Sequence, residues 1–69
     1  MAKWAEVRRY LMRHGWEFYR KTDHYIYRKL ISGHYKIMRC SFGNKEVPPR
    51  VFREILKQLC ITLNEFNRG

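Results

Sequence analysis

The sequence predicts a two-layer α+β domain, in the order helix, three antiparallel strands, helix, with both helices on one face of the sheet. Three observations lead to it. Apolar residues recur at helical spacing near both ends of the chain, while the middle is a run of aromatic and β-branched residues broken by turn signals. The chain has 69 residues, 45% of them hydrophobic. That is room for one small core, since a chain of this size buries roughly 60% of its extended surface on folding. Residues 1–69 are therefore read as a single domain. A lone helix or hairpin could not hide these aromatics, so the helices must cover one sheet face.

From Ala2 to His14, Trp4, Val7, Leu11 and the neighbouring Met12 form an apolar stripe opposed by Lys3, Glu6, Arg8, Arg9 and Arg13. Gly15 supplies the left-handed residue that ends the helix. From Trp16 to Thr22 the chain alternates, Trp16 and Phe18 on one face and Glu17, Tyr19 and Lys21 on the other. Thr22-Asp23 marks a turn, and His24–Leu30 and His34–Phe42 read as two further strands joined through Ile31-Ser32-Gly33. Gly43-Asn44 lies in a loop. Pro48-Pro49 opens a second helix whose stripe is Val51, Phe52, Ile55, Leu56 and Leu59. Thr62-Leu63-Asn64-Glu65 fits a capping box for a short terminal turn, with Phe66 available to pack back.

Fifteen Lys and Arg against six Asp and Glu give a formal charge of +9. Self-repulsion of that size is relieved by an anionic partner, and nucleic acid leads over a membrane surface. No apolar run is long enough for a signal peptide or a membrane span, so the expected setting is the cytoplasm. Cys40 and Cys60 stand twenty residues apart with no metal-ligand pattern around them, which speaks against a disulfide scaffold or zinc finger and for buried thiols in a reducing compartment.

The parts for most catalysis are missing. No GxSxG, Walker, HExxH or paired-carboxylate spacing is present, which leaves proton transfer by His14, His24 or His34. RNA is a substrate for which one imidazole among cations can suffice, because its own 2′-hydroxyl is the nucleophile and neither a metal nor a cofactor is needed. An imidazole exchanges protons near neutral pH, and Arg or Lys stabilises the charge that develops on phosphorus. Arg20 to Lys29 packs Arg20, Lys21, Arg28 and Lys29 around His24, Tyr25 and Tyr27. The cations suit phosphates and the rings suit unpaired bases. The same residues also fit an amphipathic hairpin with core tyrosines and solvated charges.

The order of residues resembles a known family. Gly15-Trp16 follows an amphipathic helix, Arg20 comes four residues later, and a turn ends in His24. Then come Gly43-Asn44-Lys45-Glu46-Val47, Ile55-Leu56-Lys57-Gln58 and Thr62-x-x-Glu65-Phe66. This is similar to HicA-type (YcfA-like) toxins over nearly the whole chain. The resemblance implies a fold like that of double-stranded-RNA-binding domains and a metal-independent mRNA endonuclease. It implies His24 as the catalytic general acid or base, and a HicB-type antitoxin that covers the active face. Arg20, Lys21, Arg28, Lys29 and Lys45 are then the expected phosphate ligands. Thr22-Asp23 stand where that family usually has Gly-Ser, Ser41-Phe42 where a second histidine is common, and Leu59-Cys60 where Ala-Gly is usual. Two other classes fit the same charge pattern: a non-catalytic RNA-binding module of the same fold, and a domain whose basic face meets an acidic protein.

Overall fold

The computed structural model describes residues 2–69. The chain runs α1 (Trp4–Arg13), β1 (Glu17–Lys21), β2 (Tyr25–Ile31), β3 (His34–Cys40), α2 (Pro49–Leu59) and a short α3 (Leu63–Arg68). The strands form one antiparallel sheet in the order β1-β2-β3. Tyr27, Met38 and Cys40 on one sheet face cluster with Trp4, Val7, Tyr10 and Leu11 of α1, Ile55 of α2 and Phe66 of α3. The helices thus gather on one side, and the opposite face stays uncovered.

Each helix end is resolved by local chemistry. At the end of α1, Gly15 takes a left-handed φ of +86° and the Trp16 amide returns to the Leu11 carbonyl at 3.0 Å. At the end of α2 the left-handed position is filled by Cys60, with φ +58°, and the Ile61 amide reaches the Leu56 carbonyl at 3.1 Å. A β-carbon there costs roughly 1–2 kcal/mol that glycine would not. The Thr62 hydroxyl accepts from the Glu65 amide and the Glu65 carboxylate from the Thr62 amide, so the capping box predicted for the last turn is formed. Phe66 packs back as expected, its ring centroid 5.1 Å from both Tyr10 and Phe52.

The second hairpin turns on Ser32-Gly33, both at positive φ, a conformation whose twist matches that of the strands. The first turns on Thr22-Asp23-His24, with Lys21 opposite Tyr25. Register in β1 then shifts: Arg20 faces Ile26, but Phe18 faces Tyr27, leaving Tyr19 as an extra residue in a β-bulge.

The structure corrects several assignments. Met12 is 57% exposed, and Tyr10 takes the buried place in α1. Ile55 is the buried residue of α2, with Phe52, Leu56 and Leu59 half-buried and Val51 at the exposed margin. Strict alternation fails in β1 because of the bulge, so Lys21 leaves the face it was expected to share with Tyr19. Of the two thiols only Cys40 is buried, and burial pushes it up to about 11, keeping it neutral and inert. Cys60 is exposed.

These burials predict unequal mutational effects within one turn of α1. Leu11→Ala removes a fully buried side chain and should cost about 2–5 kcal/mol. Met12→Ala should stay within about 0.5 kcal/mol of the parent. Thermal or urea unfolding of the two variants reads the difference, and equal losses would contradict the assignment of the core face.

Candidate nucleic-acid interface and active site

His24 sits at the end of the first hairpin, on the uncovered side of the sheet. The turn that carries it is fixed by Thr22, whose amide donates to the His24 carbonyl at 2.9 Å and whose hydroxyl accepts from the His24 amide at 3.3 Å. The same hydroxyl donates to the Asp23 carboxylate at 3.1 Å. That bond, followed by one from the His24 ring, holds the Asp23 carboxyl below the usual carboxylate range, so it is an anion at neutral pH. Asp23 Oδ1 lies 3.4 Å from His24 Nδ1. A carboxylate there favours the proton on Nδ1 and leaves Nε2 as the nitrogen able to accept one.

Two open hollows meet at His24. One, of about 520 Å³, is floored by Ile26 and lined by Tyr19, Arg20, Asp23, Ile37 and Arg39. The other, of about 490 Å³, is lined by Arg39, Phe42, Lys45, Pro48 and Val51, with Trp4 behind. Arg39 lines both. The sheet register explains this: Arg20 and Arg39 both lie opposite Ile26, one on each side, and His24 precedes Ile26 by two residues on the same strand face. With neighbouring strands about 4.8 Å apart, the two arginines span roughly 10 Å across the sheet.

The bulge is what delivers Arg20. Without the extra residue at Tyr19, Arg20 would fall on the helix side of the sheet with Phe18, away from His24 and Arg39. With it, Phe18 packs edge-on to both of those rings, at 6.0 and 5.8 Å, and Arg20 joins Tyr19 on the open side.

The loop carrying Lys45 is held by α1. The first turn of that helix finds its hydrogen-bond partners far along the chain: the Trp4 amide donates to the Lys45 carbonyl at 3.0 Å and the Ala5 amide to Asn44 Oδ1 at 3.3 Å. The Val47 amide returns to the Ala2 carbonyl at 2.9 Å. Arg8 completes the tie, its guanidinium donating to the Ser41 carbonyl at 2.7 Å and the Gly43 carbonyl at 2.8 Å.

Of the residues expected from sequence, His24, Arg20 and Lys45 are brought together around the two hollows. Lys21 lies on the other side of β1, its Nζ 5.2 Å from the Phe42 ring. Arg28 is occupied by the Glu17 carboxylate at 2.5 Å and sits between the rings of Tyr19 and Tyr35. Lys29 donates to the His14 carbonyl at 2.8 Å and closes the end of α1, away from His24. Tyr25 and Tyr27, expected as stacking faces, point to the helix side and are half-buried and buried. His14 stacks on Tyr10 at 4.0 Å and His34 is exposed at the far hairpin. Arg39 was missed. Its signal was present, since a two-residue turn at Ser32-Gly33 fixes the register that sets Arg39 opposite Ile26.

The Arg8 tie makes a prediction. Arg8→Met keeps the aliphatic stem but removes both charge-assisted bonds, and should destabilise the protein by about 1–3 kcal/mol. Amide hydrogen exchange at Trp4 and Val47 should quicken with it. Unchanged stability and exchange would show that the loop is held by something else.

Among the described residues no three His, Cys, Asp or Glu side chains stand together as metal ligands, and no helix is long and apolar enough to cross a membrane. No curated protein matches the chain, and no solved structure does. The model of one family, described as HicA toxin of bacterial toxin-antitoxin, matches residues 4–61. That span holds α1, the whole sheet, the loop bearing Lys45 and α2, and with it every residue around the two hollows. The chain belongs to the HicA toxin family.

Proposed function

We propose that this toxin is a metal-independent mRNA endoribonuclease in which His24 is the general acid or base. The observation that carries the reading is the meeting of two hollows at one imidazole, with Arg20 and Arg39 on either side of Ile26 and Lys45 in the second hollow. A phosphodiester lying over Ile26 would set its non-bridging oxygens against the two guanidinium groups, whose planar donors suit phosphate. Its flanking nucleotides would occupy the two hollows. Attack of the adjacent 2′-hydroxyl on phosphorus then needs a proton taken from that oxygen and one given to the departing 5′-oxygen, and His24 serves one of these transfers with water serving the other. Nε2 of an imidazole oriented through Nδ1 by Asp23 suits either transfer. The arginines stabilise the extra negative charge of the pentacoordinate state.

The phosphate ligands in this reading are Arg20, Arg39 and Lys45, with Lys21 at the rim. Arg28 braces the sheet surface and Lys29 caps α1. Family membership implies an antitoxin partner. A HicB-type protein that covers the uncovered sheet face would silence the enzyme by occupying both hollows, and the cytoplasm is the compartment in which it would meet mRNA.

A second reading is favoured by one observation. The Asp23 carboxylate is almost wholly exposed beside the imidazole and repels phosphate. A chain so built could bind RNA at its cations without cutting it.

Cleavage of RNA by the purified protein in EDTA separates the two. The parent should cut, and His24→Ala should cut about 10²–10⁴ more slowly while binding RNA nearly as well, since the phosphate contacts come from cations. His14→Ala and His34→Ala should cut at the parent rate. A parent that binds RNA but never cuts it, or a His24→Ala variant as fast as the parent, would replace the ribonuclease with the RNA-binding module.

A further inference from the structure

The uncovered sheet face extends beyond His24 toward the second hairpin, and its surface there is aromatic. The Arg28 guanidinium carbon lies 4.4 Å from the centre of the Tyr19 ring and 4.3 Å from that of Tyr35. One planar cation is thus held between two rings drawn from β1 and β3. Glu17 fixes it from the side. Both rings are open to solvent, Tyr19 at 46% and Tyr35 at 53%, and the neighbouring Leu30 and Ile37 on the same face are exposed as well. Among the described residues no helix packs on this side. Arrays of exposed rings on a sheet are expensive to leave in water unless something covers them.

We propose that the Tyr19–Arg28–Tyr35 stack is a stacking subsite for unpaired RNA bases, which makes the chain prefer single-stranded over duplex RNA. The proposal rests on the reading of the protein as RNA-directed.

Three features select this occupant. Arg28 lies four residues from His24 along β2, roughly 13 Å at strand rise, so a strand whose phosphate sits over Ile26 reaches the stack within a few nucleotides. The face is also complementary in charge to a polyanion: Arg20 and Arg39 lie on it, and the carboxylate beside the rings, Glu17, is already bound by Arg28. Finally, the partner of the rings must offer flat π surfaces. Unpaired bases do, whereas in an A-form duplex those surfaces are hidden between base pairs and only phosphates, sugars and base edges are presented. Because Glu17 and the two tyrosines occupy Arg28, its role here is to hold the rings in place.

The test measures binding by fluorescence anisotropy to a short 2′-O-methyl oligonucleotide of mixed sequence, single-stranded or annealed to its complement. Its blocked 2′-oxygens cannot act as nucleophiles, so binding is read without cleavage. The full-length parent should bind the single strand more tightly than the duplex. Tyr35→Ala should weaken single-strand binding about 5- to 150-fold and leave duplex binding unchanged, while Tyr35→Phe, which keeps the ring, should bind like the parent. Tyr19→Ala provides a second variant at an equally exposed position should Tyr35→Ala fail to fold by circular dichroism. Equal parent affinity for both forms, or single-strand binding unaffected by loss of either ring, would overturn the proposal and leave this face to a protein partner. A parent that binds neither oligonucleotide would overturn the RNA-directed reading along with it.

Discussion

One extra residue in an edge strand governs where the charges of this protein lie. Antiparallel pairing demands that side chains alternate, and in β1 strict alternation would send Arg20 into the layer of rings that α1 and α2 cover. There it would stand beside the exposed Lys21, away from His24 and Arg39. The bulge at Tyr19 resolves the conflict: Phe18 keeps its place against Tyr25 and Tyr27, and Tyr19 and Arg20 both go to the open side. The same displacement places one ring against Arg28 and one guanidinium beside His24, so the aromatic portion of the open face and the surroundings of His24 share a single origin. Bulges recur next to functional sites because they re-aim a side chain without disturbing the core.

The other half of the site depends on a debt between α1 and the loop after β3. Lys3 offers no capping side chain to the helix that follows it, so the first amides of α1 turn to Lys45 and Asn44. The loop needs the helix equally, since its Ser41 and Gly43 carbonyls are met by Arg8. Each side satisfies the other's exposed polar groups, and Lys45 is thereby held near a hairpin formed by different strands. Arg8 illustrates how a cation counted toward nucleic-acid binding can serve structure instead. The +9 formal charge is therefore a poor guide to the number of phosphate ligands, because Arg8, Arg28, Lys29 and Lys36 each have a partner within the protein.

Much of this organisation was legible in the residues. The element order followed from periodicity, and the Thr62–Glu65 cap and the Gly15 and Ser32-Gly33 turns followed from local chemistry that tertiary packing did not override. What escaped was whatever depends on register. Period-two reasoning holds only along an unbroken ladder, so the face of Lys21 was misassigned once Tyr19 bulged. Tyr25 and Tyr27 pointed inward because β2 is the central strand and its odd-numbered residues meet the helices. Arg39 was overlooked because a lone arginine in a strand carries no motif, and its meaning appears only across the sheet. Lys29 and Arg28 looked free because sequence shows neither the carbonyl of His14 nor the carboxylate of Glu17 beside them.

In the proposed mechanism RNA is its own nucleophile, and the protein contributes one imidazole and paired arginines. Analysis of the product ends after cleavage in EDTA tests that claim most directly. Attack by the 2′-hydroxyl leaves a 2′,3′-cyclic phosphate on one fragment and a 5′-hydroxyl on the other, and these are the ends the account predicts. Fragments bearing 5′-phosphates would show that water attacked phosphorus instead, and would contradict it.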